Sequence, residues 1–189
     1  MSTVPSHPVE QNLIPWLLER LEQEAGADPL IDALRTRIQS VSLGRVRDGL
    51  RGKWVGHPVH PLMVQVPIGS WLSAAVLDLC PGRSREAGLL IGVGLAAVGP
   101  AVLTGAVDWA ELGQRQQRVG IVHALANTMA AGLYAASLVC RVKGHPTAGR
   151  AFGFVGLTAV GAGGLLGGHM TFHRADGADH AEEALDVLP

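Results

Sequence analysis

Four long apolar stretches dominate the chain, at residues 61–80, 87–107, 119–140 and 151–170. Asp78 is the only Asp, Glu, Lys or Arg inside them. Each is close to the roughly 20 residues that cross a hydrocarbon layer about 30 Å thick. A helix in a soluble bundle normally keeps one polar face, and these mostly do not. The pattern predicts four transmembrane helices. It also predicts two amphipathic helices upstream, because Leu13, Ile14, Leu17, Leu18 and Leu21 recur at helical spacing, as do Leu30, Leu34, Ile38 and Val41. Asp28 is the expected N-cap of the second, with Pro29 at its first helical position.

The connections between the apolar stretches read PGRSRE, DWAELGQRQQR and RVKGHPTAGR. Links this short force successive spans to run antiparallel. The expected fold is therefore all-α: an integral membrane antiparallel four-helix bundle with an N-terminal amphipathic arm. Residues 1–56 form the amphipathic and basic arm, 57–173 the four-span domain and 174–189 an acidic tail. Both termini and the second loop share one face. That face carries seven Lys or Arg near span ends against five on the other, which places the termini in the cytoplasm. The start of the chain lacks the basic region and continuous apolar stretch of a secretory signal.

Composition agrees with this picture. Apolar residues make up 48% and charged residues only 16%, against about 25% charged in soluble domains. Only 4% are aromatic while 25 are Gly, so Ala, Val, Leu and Gly must build the core. A net charge of −1 argues against nucleic-acid binding. Cys80 and Cys140 are the only cysteines, which excludes a disulfide scaffold and reads as two inert thiols.

The up-down topology gathers polar residues at the terminus face. His57 and His60 lie at the start of span one, Asp108 closes span two, His123 lies one turn inside span three, and His169 ends span four with His173 one turn on. The prolines of Gly56-His57-Pro58-Val59-His60-Pro61 hold the first two histidines on a stiff approach to the membrane. Interfacial histidines solvated by headgroups are the plain alternative. His123 shares a helical face with Asn127 and Tyr134, and an ionisable group inside a span points to function unless it serves as an interhelical hydrogen bond. Asp108 sits where the helix dipole disfavours a carboxylate, so a histidine or Arg115 or Arg118 must compensate it. In span four, Gly163 with Gly167 and Gly164 with Gly168 are small-xxx-small pairs that admit a neighbouring helix or a flat cofactor. At the other face Asp78 is expected to pair with Arg83, Arg85 or Arg141. Pro67 should kink span one.

The strings GHPVHPLMVQVPIGSW, LDL, TGAVDW, VHALANT and GGLLGGHM resemble the bacterial membrane proteins grouped as domain of unknown function 2231, from about residue 45 to 172. The resemblance implies a four-span domain of the bacterial cytoplasmic membrane. It also implies that His57, His60, Asp108, Trp109, His123 and His169 occupy motif positions. It supplies no activity. Some similar proteins carry a Rieske iron–sulfur domain, which this chain lacks; its two cysteines cannot complete a Cys/His ligand set.

Three readings follow. In the first, His123 and His169 ligate b-type haem, with His60, Asn127, Gly164 and Gly168 around it, and electrons pass to a separate iron–sulfur protein. In the second, His57, His60, Asp108, His123 and His169 bind Zn, Fe or Cu directly. In the third, a scaffold without a cofactor uses these groups only to pack the bundle, as a homo-oligomer or with the bilayer alone. No nucleophile triad, phosphate loop or zinc-hydrolase motif is present, so no hydrolase or transferase activity is expected.

Overall fold

A computed structural model describes residues 13–186, with side chains for residues 13–171. His173 and the acidic tail expected over 174–189 fall outside the described side chains. Every regular element among the described residues is helical. In order these are α1 (Leu13–Gln23), a 3-10 turn (Ala25–Ala27), α2 (Asp28–Ser40), α3 (Arg45–Leu50), α4 (His60–Met63), α5 (Gln65–Asp78), α6 (Ser84–Trp109), α7 (Gln114–Val142) and α8 (Pro146–Asp186).

Three helices are long and apolar enough to cross a membrane: α6, α7 and residues 146–171 of α8. The most apolar windows of these segments are only 28%, 22% and 28% buried. Large apolar side chains such as Leu89, Leu103, Leu125 and Val155 lie on the outside. An outer surface this apolar suits lipid rather than water. The first predicted span differs from the other three. It is broken at Val64 into α4 and α5. Pro67 lies four residues after Met63, so it offers no N–H to the Met63 carbonyl and its ring crowds that group. The kink expected at Pro67 therefore takes the form of a one-residue interruption one turn upstream, at which Val64 keeps helical backbone angles (φ −71°, ψ −17°).

Glycines set the register between helices. Gly156 of α8 lies under the Tyr134 ring, Gly163 under Asn127 and Gly167 under His123; a Cβ at these positions would come within 3.0, 2.8 and 3.1 Å of those side chains. Residue numbers rise along α8 as they fall along α7. The same holds between α5 and α6, where Trp71 fills a notch at Gly94 and donates from Nε1 to the Ile91 carbonyl at 3.4 Å. The core forms around Trp71, Ile91 and Tyr134. Trp71 and Tyr134 stack with centroids 4.2 Å apart and planes 15° from parallel.

The arm folds back on the helices that follow it. Arg118 of α7 donates to both Asp28 oxygens at 2.7 and 2.6 Å and to the Glu22 carbonyl at 2.6 Å. Ile31 is fully buried, and Gln39 reaches the Ala110 carbonyl at 3.2 Å. Asp28 is the first residue of α2 rather than its N-cap, which is Ala27; its backbone is already helical and its carboxylate pairs with Arg118. Along α1, Leu13, Ile14 and Leu17 remain exposed.

Candidate functional site

His60 opens α4, and Pro61 behind it is compatible with a helix's first turn. The imidazole crosses to α6, where Nδ1 lies 2.9 Å from the Ala101 carbonyl and 3.4 Å from Thr104 Oγ1. Gly105 makes this approach feasible, since a Cβ there would stand 2.8 Å from Cε1 of the ring. His123 is built the same way from α7: Nδ1 lies 2.8 Å from the Gly163 carbonyl of α8, with Gly167 beneath the ring. Asn127, one turn on, donates to the His123 carbonyl at 2.8 Å and places its amide nitrogen 3.2 Å from Nε2. The two rings meet edge to face, with centroids 6.4 Å apart and planes at 81°.

With each Nδ1 held at a backbone carbonyl, Nδ1 carries the proton and Nε2 keeps its lone pair. That is the state in which a histidine ligates a metal, with the second nitrogen orienting the ring. His60, His123 and Asn127 thus form one cluster between α4, α6, α7 and α8.

The other expected site residues lie elsewhere. His169 is 2.8 Å from Glu22 Oε1 of the arm. With Gly161, Gly164, Leu165 and Gly168 it lines a shallow groove of about 500 Å³. A Cβ at Gly164 or Gly168 would meet nothing within 4 Å, so α7 packs on the Gly163/Gly167 pair and leaves the Gly164/Gly168 pair open. His57 and Asp108 line a third place, a cleft of about 490 Å³ with Arg51, Lys53 and Glu111. The turn below it is shaped by Gly52, at φ +73°, where a side chain would collide with the His57 carbonyl. Arg118, one expected partner of Asp108, is committed to the arm. The histidines that share a depth are therefore divided among three places. Among the described residues, no three His, Cys, Asp or Glu side chains gather in a way that would hold a metal ion.

Two further polar features lie outside the histidine cluster, the second of them the pairing expected for Asp78. Trp109 Nε1 donates to the Gln117 carbonyl at 3.0 Å, and Gln117 Nε2 donates to the Trp109 carbonyl at 3.2 Å. This reciprocal clasp closes the α6–α7 turn and gives the TGAVDW string a physical role. At the far end of the helices, Asp78 is 3% exposed and binds Arg141 through both oxygens, at 2.9 and 2.5 Å. The spacing of His123, Asn127, Tyr134, Ser137 and Arg141 along one face of α7 is the signal that joins the ion pair to the histidine cluster.

The family described as "Predicted membrane protein (DUF2231)" matches residues 56–179. The chain belongs to this family. The match begins at the glycine before His57 and takes in α4 to α8, so every residue of the histidine cluster lies within the family's domain. α1, α2 and α3 lie outside it. No curated protein and no solved structure matches the chain. The DUF2231 assignment and the three apolar helices agree on a helical membrane protein.

Proposed function

We propose that this chain is an antiparallel four-span domain of the bacterial cytoplasmic membrane, with cytoplasmic termini, that holds b-type haem between His60 and His123 and serves electron transfer. The arm is residues 1–56, and α4 with α5 makes the first span. The observation that carries the reading is the imidazole pair, from different spans, each with Nδ1 at a carbonyl and centroids 6.4 Å apart. Two metal–nitrogen bonds of roughly 2 Å placed end to end, with the ring radii added, span about 6 Å. Such a separation would leave room for one metal between the two imidazoles. Haem would supply one-electron chemistry; the chain's residues would orient the two imidazoles and surround them with apolar helices. Asn127 is the group that must move from His123 Nε2. The electron partner in this reading is a separate iron–sulfur polypeptide.

A scaffold without a cofactor is the second reading, favoured by the fact that both imidazoles already bridge helices through hydrogen bonds. Protein expressed with supplemented haem decides between them. A reduced-minus-oxidised b-type spectrum is expected, lost in His60→Ala and in His123→Ala and kept in His169→Ala. Colourless, metal-free protein would leave the scaffold. Colourless protein with stoichiometric zinc, iron or copper would favour direct metal binding.

A further inference from the structure

At the end of the helices opposite the arm, four helix ends converge on one buried carboxylate. Asp78 closes α5, Ser84 opens α6, Arg141 lies in the last turn of α7, and Arg150 follows the first turn of α8. Arg141 saturates the site: its two terminal nitrogens reach both Asp78 oxygens and Ser84, and its Nε donates to Ser137 Oγ at 3.3 Å. Gly149 leaves room for the Arg141 stem. Arg150 is then a second guanidinium with no carboxylate of its own. Its Nε is buried without a hydrogen-bond partner, 3.9 Å from Asp78 Oδ1, while its side chain as a whole is 43% exposed. Two guanidiniums and one carboxylate leave one positive charge at a helix N-terminus, where the dipole adds to it. Arg85, in the first turn of α6, and Lys143, at the end of α7, stand exposed beside it and add to the positive field.

We infer that Arg150, steadied by the Asp78–Arg141 pair, binds an anionic phosphate group at this face. A planar guanidinium with a free edge presents parallel donors that match phosphate oxygens. The phosphate belongs either to a lipid headgroup or to a free anion. The inference rests on the four-span part of the proposed function, which brings these ends to one bilayer surface, and is independent of haem.

The test uses the full chain in an uncharged detergent, with the thermal midpoint followed against phosphatidylglycerol, phosphatidylcholine and inorganic phosphate. Phosphatidylglycerol is expected to raise the midpoint saturably and phosphatidylcholine to leave it unchanged. Arg150→Gln should weaken the response about tenfold, and Arg85→Gln should keep it. A matching response to inorganic phosphate, also lost in Arg150→Gln, would assign the site to a free anion. A wild-type response in Arg150→Gln, or equal losses in Arg150→Gln and Arg85→Gln, would overturn the site in favour of diffuse attraction. If Arg150→Gln does not fold, Arg150→Lys keeps the charge without the fork and should still weaken the response; an unchanged response overturns the site. Cysteine labelling at Ser84 and Thr147 from opposite sides of the membrane would overturn the four-span reading while leaving the inorganic phosphate measurement valid.

Discussion

Arg118 and Asp28 stand 90 positions apart in sequence and form a two-point guanidinium–carboxylate pair, at 2.7 and 2.6 Å. The same arginine holds the last turn of α1 through the Glu22 carbonyl. One side chain of α7 therefore fastens both arm helices. The hydrogen bonds from Arg118 hold the Asp28 carboxyl below the ordinary value of 3.8.

Because the folded value is depressed, the docking free energy is present in full above the ordinary aspartate value and is lost as pH falls through the folded one. The arm should stay docked at pH 5–7 and loosen below about 3.8. Asp28→Asn should loosen it at neutral pH. Hydrogen exchange of the α2 amides reads both; protection in Asp28→Asn equal to wild type would show that the apolar contacts alone hold the arm.

At the other end, Asp78→Asn should be among the most damaging single changes. It leaves the Arg141 and Arg150 guanidiniums without their anion, at a cost of about 3–5 kcal/mol. The double change Asp78→Leu with Arg141→Met removes charge from both sides and should cost far less. Unfolding in mixed micelles measures both.

The packing on α6 gives a sharper contrast between two nearby glycines. A Cβ at Gly94 would overlap the Trp71 indole, whereas one at Gly92 would meet nothing within 4 Å. Gly94→Ala should destabilise by about 1–3 kcal/mol. Gly92→Ala should be neutral or stabilise by up to about 1 kcal/mol through helix propensity. Thermal midpoints of the two variants, compared at one detergent concentration, check the prediction.

Helix positions were largely legible in the sequence. The leucine-spaced run from Leu13 forms the expected helix, and the apolar stretches 87–107, 119–140 and 151–170 each lie inside a longer helix. The site was legible only in part, for a geometric reason. Topology fixes how deep a residue sits; the rotation of each helix about its axis fixes which neighbour it meets. His169 and His123 share a depth, yet one turns toward Glu22 of the arm and the other toward Gly163. Both glycine pairs of span four satisfy the same spacing rule, and only the side chains of α7, which fill the notches at Gly163 and Gly167, distinguish them. Asp78 had three candidate arginines on sequence grounds; the absence of a side chain at Gly149, which admits the stem of Arg141, favours the third.

The break at Val64 bears on how the chain enters the bilayer. With 14 residues, α5 is only about 21 Å long, and only with α4 and Val64 does the segment approach the hydrocarbon thickness of about 30 Å. On its own it is a marginal substrate for the insertion machinery, which reads continuous apolar length. α6, with 26 residues, has no such deficit. The first segment is thus expected to be retained in the bilayer by pairing with the helix synthesised after it, through Trp71 and the notch at Gly94. Biogenesis then proceeds by hairpin, with the second segment stabilising the first.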